Sequence, residues 1–144
     1  MKKLIYLLIL AIAVPAFSFT PRPLTWVAIG DSITYLNDHA NETGNRVTKG
    51  YLSRVTEKLS YIQYINQGHN GWTSRKIADS IEYLGIPRAD VYSVFLGTND
   101  WWHGDHVGKW EDYTSSTGDT TVYGAFRIFI DKIRHADFPG IRVV

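Results

Sequence analysis

The chain has 144 residues, of which 44% are hydrophobic and 20% charged, a composition typical of one globular domain rather than of a disordered or fibrous protein. Lys2 and Lys3 account for two of the 15 basic residues, so the rest of the chain carries 13 basic against 14 acidic side chains, which removes the electrostatic basis for nucleic-acid binding. With no cysteine, a disulfide framework and a lipid-attachment cysteine are both excluded.

The first segment of the chain has the pattern of a signal peptide. Two lysines precede the apolar run Leu4–Val14, and the small residues Ala16 and Ser18 stand where a signal peptidase cleaves. The run is too short to span a membrane. We therefore expect residues 1–18 to be removed, and residues 19–144 to form one secreted or periplasmic domain with no stable membrane insertion.

Short apolar runs alternate with amphipathic stretches along the remaining sequence. The runs predict strands, and the stretches predict helices because their hydrophobic residues recur with helical spacing. In chain order we expect a strand at Thr25–Gly30, a helix at Tyr51–Ser60, a strand at Tyr61–Gln67, a helix containing Ile77, Ile81 and Leu84 that ends at Gly85, a strand at Val91–Gly97, a helix containing Val122, Phe126, Phe129, Ile130 and Ile133, and a fourth strand from Ile141. This alternation predicts an α/β domain with a parallel sheet.

Each of the first three predicted strands leads directly into a polar cluster. The clusters are Gly30-Asp31-Ser32, Asn66 to Gly71, and Gly97 to Asp100. Ligands of open parallel sheets bind at the carboxyl ends of the strands, so the three clusters are expected to converge there. Any one of them alone is typical of a turn with a helix cap, which leaves Ser32 as either a nucleophile or a turn residue. Their occurrence after three successive strands favours a functional site.

The chemistry that suits these residues is acyl transfer. Ser32 supplies a hydroxyl, and its own N–H, the N–H of Gly71 and the side-chain amide of Asn99 supply three donors for an oxyanion. Glycine at position 71 lets the backbone approach a substrate closely. The sequence GDSIT lacks the second glycine of the nucleophile elbow, so this is not the serine of an α/β-hydrolase.

The three motifs GDSIT, NQGHNGWTS and GTND, in this order, resemble those of the SGNH hydrolases, also called GDSL esterases and lipases. The resemblance covers essentially the whole chain after the signal segment. It implies a flavodoxin-like three-layer sandwich with strand order 2-1-3-4-5 and a secreted serine ester hydrolase without a cofactor. It also implies that Ser32 is the nucleophile and that Gly71 and Asn99 complete the oxyanion hole.

One motif of the family is expected to be missing from this sequence. The family's Asp-x-x-His motif supplies the general base near the carboxyl terminus, whereas the one such string here, Asp100-Trp-Trp-His103, directly follows Asn99 and so lies in a different part of the fold. We therefore expect an amino-terminal portion of a longer enzyme that stops after the start of strand 4 and is weak or inactive by itself. Asp31, Asp100 and His103 remain accessory candidates, with His103 as a substitute base because its loop could approach Ser32.

Substrate contacts are assigned to the residues around these motifs. His69 lies beside Gly71 and either lines the pocket or is a loop histidine bonded to backbone. Trp101, Trp102 and Trp110 follow the third strand and either bind substrate or pack the loop against the domain. The expected substrate is a small-molecule ester, possible forms being an acylated carbohydrate, a lipid or a short-chain ester.

Two further interpretations of the sequence bear on ligands. The histidines lack the spacing and additional ligands of a zinc site, so no metal is expected. The alternative function is a non-catalytic, secreted α/β module that holds a small ligand, for which a phosphate is conceivable because glycine-rich loops at helix starts bind anions. An activated Ser32 would react with an organophosphonate, whereas a binding module would remain unmodified.

Overall fold

The computed structural model describes residues 22–44, 46–115 and 119–135. In chain order these residues form β1 (Leu24–Gly30), α1 (Ser32–Tyr35), a 3₁₀ turn (Ala40–Thr43), α2 (Tyr51–Lys58), β2 (Ile62–Gly68), α3 (Ser74–Ser80), β3 (Val91–Phe95), α4 (Thr98–His103), α5 (Trp110–Thr114) and α6 (Val122–His135). None of these described helices is long and apolar enough to cross a membrane. The predicted signal segment at 1–18 and the predicted strand from Ile141 lie outside the described residues.

The three described strands form one parallel sheet in the order β2-β1-β3. Gly30, the last residue of β1, is in register with Gly68 at the end of β2 and with Phe95 at the end of β3. The carboxyl ends of all three strands therefore meet at one edge. The predicted α/β fold with a parallel sheet is confirmed, and the observed order matches the first three strands of the predicted order.

The central position of β1 follows from its composition. Its residues from Trp26 onward are buried, as expected for a strand covered on both faces of a parallel sheet. Val27 and Ile29 pack on one face against α3 and α6, where Phe129 is fully buried. Trp26 packs on the other face against Leu52 of α2. The domain therefore has three layers, with helices on both sides of the sheet.

Some element boundaries differ from those predicted. The predicted strand at Val91–Gly97 ends at Phe95, because Gly97 has a φ of 124°, outside the range of a strand, and α4 begins at the next residue. The helix α3 ends at Ser80, before Leu84. The short helices α1, α4 and α5 were not predicted, since each is too short to show a helical hydrophobic pattern.

Candidate active site

Ser32 is the first residue of α1, and Asp31 caps this helix. The Asp31 side chain accepts a hydrogen bond from Ile33 N at 2.9 Å, and Asp31 is only 1% exposed. The Asp31 N–H donates to Phe95 O at 3.4 Å, so the turn after β1 is bonded to the end of β3. Asp31 is thus the helix cap of the turn that the motif Gly30-Asp31-Ser32 indicated. The Ser32 hydroxyl makes no hydrogen bond within the part of the chain that the structure describes.

Close packing fixes the position of α1 on the sheet edge. A β-carbon at Gly30 would lie 2.0 Å from Thr34 Oγ1, and one at Gly68 would lie 2.1 Å from the backbone of α1. Neither position can hold a side chain without moving the helix. Asn66 of β2 adds a hydrogen bond from its side-chain amide to Thr34 O at 2.9 Å. These contacts hold Ser32, at the start of α1, against the ends of β1 and β2.

The second motif forms a turn over His69–Trp72, referred to below as the Gly71 turn. The Trp72 N–H donates to His69 O at 3.2 Å, and Gly71 is the third residue of the turn, with a φ of 76°. A positive φ at this position suits glycine, which adopts it without strain. The His69 N–H donates to Gly30 O at 2.9 Å. The Gly71 turn is therefore bonded directly to the last residue of β1.

Helix α4 holds the other end of the Gly71 turn. Asn99 donates from Nδ2 to Trp72 O at 2.8 Å, and this bond fixes the orientation of the amide. A side-chain amide has two N–H donors, so one remains for another acceptor. The next residue, Asp100, binds the start of α3 through Ser74. Two consecutive residues of α4 therefore contact the segment that follows Gly71.

The structure thus brings the three predicted site loops into contact. The Gly71 turn donates a hydrogen bond to Gly30, the last residue of the strand that precedes Ser32. At its other end, the turn accepts a hydrogen bond from Asn99. All three loops stand at the carboxyl ends of the parallel strands, where ligands of such sheets bind. A hydroxyl, a glycine N–H and an amide N–H on neighbouring loops are the groups that acyl transfer needs.

The accessory pair Asp100 and His103 is not arranged as a carboxylate that orients a histidine. Asp100 is 3% exposed, and both of its carboxylate oxygens accept from Ser74. His103 is exposed and is the last residue of α4. In the described ranges, no group of three His, Asp or Glu side chains is placed to bind a metal ion.

The two tryptophans that follow Asn99 are exposed. Trp101 is 75% exposed and Trp102 is 71% exposed, with ring centroids 5.0 Å apart at an angle of 71°. The interpretation that they pack the loop against the domain is therefore wrong for these two residues. Trp110 is 60% exposed, but its ring stacks on Tyr113 with a centroid distance of 5.1 Å. An exposed indole offers a flat apolar face for a ligand.

His69 occupies an apolar position on the Gly71 turn. Its ring stacks on Trp72 with centroids 4.2 Å apart, and its Nε2 is buried without a hydrogen-bond partner among the described residues. Burial lowers the pKa of His69, so its ring is neutral at pH 7. The sequence left His69 either as a residue that lines the pocket or as a loop histidine bonded to backbone, and it did not indicate the stacking on Trp72.

Two residues that organise the site were not predicted from the sequence. The Trp72 carbonyl accepts from Asn99, and Ser74 binds Asp100, partners whose residue numbers differ by 27 and 26. A backbone acceptor leaves no signal in the amino-acid type. The serine in GWTS follows Thr73, which caps α3, so it has the pattern of an ordinary helix start.

The family comparison gives a match over most of the chain. Residues 28–144 match the model of the GDSL-like lipase/acylhydrolase family. No curated protein matches the chain.

Two solved structures are similar to the described fold. A possible lipase from Chitinophaga pinensis DSM 2588 is 66% identical, with a TM-score of 0.80, over 83% of this chain and 46% of that one. AlinE4, an SGNH-hydrolase family esterase, is 17% identical, with a TM-score of 0.59, over 87% of this chain and 62% of that one, a likeness of fold. The chain thus spans less than two thirds of the length of either protein.

Proposed function

Since the chain belongs to the GDSL-like lipase/acylhydrolase family, we propose that it is a serine ester hydrolase with Ser32 as the nucleophile. Its oxyanion hole consists of the Ser32 N–H, the Gly71 N–H and the side-chain amide of Asn99. One observation carries this assignment: the Gly71 turn is hydrogen-bonded to the end of β1 on one side and to Asn99 on the other. The family match also confirms the resemblance found in the three sequence motifs.

The proposed reaction has two steps. The Ser32 hydroxyl attacks the ester carbonyl carbon and gives its proton to a base, and the carbonyl oxygen becomes a tetrahedral oxyanion bound by the three donors. Collapse of this intermediate breaks the ester bond, releases the alcohol with a proton from the base, and leaves an acyl group on Ser32. Water then attacks the acyl-enzyme by the same route and releases the acid.

The hydrogen bond from Asn99 to Trp72 O prepares the amide for this role. Because Nδ2 already donates one hydrogen to the carbonyl, the amide cannot turn its oxygen toward the oxyanion without losing that bond. The second hydrogen stays available for the substrate oxygen. Such preorganised donors stabilise the transition state without reorganising during the reaction.

The general base is the one catalytic group to which this proposal assigns no residue. No histidine ring is hydrogen-bonded to the Ser32 hydroxyl within residues 22–44, 46–115 and 119–135, and Asp100 is bound to Ser74 rather than to His103. General-base assistance contributes about 10²–10⁴-fold to such reactions. The 144-residue chain by itself is therefore a slow esterase under this proposal, with residual turnover that depends on Ser32.

Substrate and location complete the proposal. The exposed Trp101 and Trp102, which follow Asn99 in the chain, support an ester that presents an apolar face to an indole ring, and the C–H face of an acylated carbohydrate fits this requirement. The lysines and the apolar run at the amino terminus support export, with cleavage near Ser18 and a mature protein in the periplasm or outside the cell. Amino-terminal sequencing of exported material checks the cleavage site, and a chain that still begins at Met1 would contradict it.

The central test is the reaction of Ser32 with an aryl phosphonate, followed by peptide mass spectrometry. We expect one phosphonyl group on the peptide that contains Ser32, and none in Ser32→Ala. Ser80→Ala is the matched control, because Ser80 ends α3 away from the Gly71 turn and its loss should not change the labelling.

The same experiment separates the hydrolase from a binding module. A Ser32 hydroxyl that has no hydrogen-bond partner among the described residues is compatible with a domain that holds a small ligand without turnover. Such a domain would show no labelling of Ser32 and no Ser32-dependent hydrolysis of an aryl acetate. Labelling spread over several serines would likewise contradict an activated Ser32.

A further inference from the structure

The Asp100 carboxylate is buried and is bound by the first residue of α3. Ser74 donates its N–H to both carboxylate oxygens at 3.0 Å and its hydroxyl to Oδ1. Asp100 is 3% exposed, and Ser74 is fully buried. A buried carboxylate is stable only where donors satisfy it, so these bonds determine how α4 and α3 approach each other.

The preceding residue of α4 makes a second contact with the same segment. Asn99 donates to Trp72 O at 2.8 Å, two residues before Ser74. The segment Trp72–Ser74 is therefore held at both ends by consecutive residues of α4. Since Gly71 precedes this segment directly, the distance between its N–H and the Asn99 amide depends on both contacts.

We propose that Asp100 is a positioning residue, which sets the spacing of the Gly71 N–H and the Asn99 amide through its bonds to Ser74. The proposal rests on the oxyanion hole described under the proposed function. The Asp100 carboxylate is bound to Ser74 at the start of α3, and under this proposal it acts only through its neighbours. Because loss of one oxyanion donor costs about 10²–10³-fold and a displacement of about 1 Å costs about 10²-fold, loss of the Asp100 contact should lower kcat by about 10–100-fold.

The test compares Asp100→Asn and Ser74→Ala in the full chain, with aryl-acetate hydrolysis as the assay. We expect kcat to fall by about 10–100-fold with KM changed by less than about threefold, since the affected donors act mainly on the oxyanion. Thr73→Ala is the matched control. It removes a cap at the start of the same helix, where Thr73 Oγ1 accepts from Lys76 N, and it leaves the Asp100 bonds intact. Its kcat should stay within about twofold of the unmodified protein.

A double-mutant cycle distinguishes positioning from a general structural role. If Asp100 acts through Asn99, then Asp100→Asn should lower kcat by less than about threefold in the Asn99→Ala background. An equal fall in both backgrounds, or the same fall in Thr73→Ala, would overturn the proposal. Every variant compared must also keep a cooperative thermal transition, which shows that a lower rate does not result from unfolding.

An amide NMR spectrum gives a readout that needs no activity. Asp100→Asn should shift the signals of the Gly71 N–H and the Asn99 side-chain amide by more than Thr73→Ala shifts them. Unshifted signals would overturn the positioning role. If Ser32→Ala retains the full hydrolysis rate while these signals shift, the proposed function has failed and the structural link between Asp100 and the Gly71 turn still stands.

Discussion

Replacement of Gly71 by alanine tests the turn on which the proposed oxyanion hole depends. Gly71 has a φ of 76°, and apart from its two chain neighbours no atom of the described residues lies within 4 Å of a β-carbon at this position. The change therefore adds no clash and costs only the strain of a left-handed alanine, about 1–2 kcal/mol, offset by about 0.4–1 kcal/mol from a less flexible unfolded chain. The net loss of stability is on the order of 1 kcal/mol, or a fall in Tm of about 4 °C.

The effect on the reaction should be much larger than the effect on stability. If the Gly71 N–H donates to the oxyanion, the open space beside Gly71 is where the substrate carbonyl enters, and a methyl group there displaces it. A displacement of about 1 Å slows such a reaction by about 10²-fold. We expect phosphonylation of Ser32 and hydrolysis of an aryl acetate to slow by about this factor.

Gly85 supplies the matched control for this experiment. It has a φ of 59° and lies in the connection between α3 and β3, and its β-carbon would likewise have no atom within 4 Å in the part of the chain that the structure describes, apart from its chain neighbours. Gly85→Ala should therefore lower Tm as much as Gly71→Ala without slowing the reaction of Ser32. Equal rates in the two variants would refute the role of the Gly71 N–H as an oxyanion donor.

Three further predictions concern charge, burial and exposure. Hydrogen bonds from Arg22 and from a backbone N–H lower the pKa of Asp90 to about 2, so its stabilising contribution is complete above about pH 4 and is lost as the pH falls toward 2. Asp90→Asn should lower the urea midpoint at pH 7, and this difference should narrow on titration to pH 2. Burial lowers the pKa of His69, so the unfolded chain takes up this proton before the folded one as the pH falls below about 6.5. Between pH 7 and pH 5 the thermal stability of His69→Phe should therefore decline less than that of the unmodified protein. Because Trp101 is 75% exposed, Trp101→Ala should change the free energy of unfolding by less than about 0.5 kcal/mol and should raise KM for an acetylated sugar more than for an aryl acetate. Equal changes in the two KM values would exclude a contact with the sugar.

The sequence predicted the elements whose hydrophobic residues form a continuous run or recur with the period of a helix. The apolar run Thr25–Gly30 predicted the first strand, and the stripe containing Phe129 and Ile133 predicted α6, in which both residues are buried. These signals depend on the local period of hydrophobic residues, and the period follows directly from the geometry of strands and helices. The three polar motifs were identified for the same reason, since each follows a strand that was itself predictable.

The contacts between the motifs were not predictable in the same way. Asn99 is bonded to a carbonyl oxygen, a group that every residue carries, so no residue type marks the partner. The early end of β3 depends on the backbone at Gly97, and a glycine alone does not determine its own φ. These features are tertiary, because they exist only once α4 packs against the Gly71 turn.

The arrangement of Asp100 and His103 leads to the last prediction. Residues three apart lie near each other on a helix, and the sequence therefore allowed a local pair of carboxylate and imidazole. In the structure Asp100 is on the buried side of α4, where its carboxylate accepts hydrogen bonds from Ser74. His103 is exposed at the end of the same helix. A carboxylate whose two oxygens both accept from Ser74 is not turned to orient an exposed imidazole.

We therefore expect His103→Ala to change the phosphonylation rate of Ser32 by less than about twofold, because a base contributes about 10²–10⁴-fold and His103 does not supply that contribution. His106→Ala is the matched control, since His106 is also an exposed histidine in the segment after α4, where its Nδ1 accepts from Gly108 N. The two variants should react alike. If His103→Ala alone loses the rate and keeps its Tm, then the local pair is the base, and the assignment of Asp100 to positioning must give way to a direct role in activating Ser32.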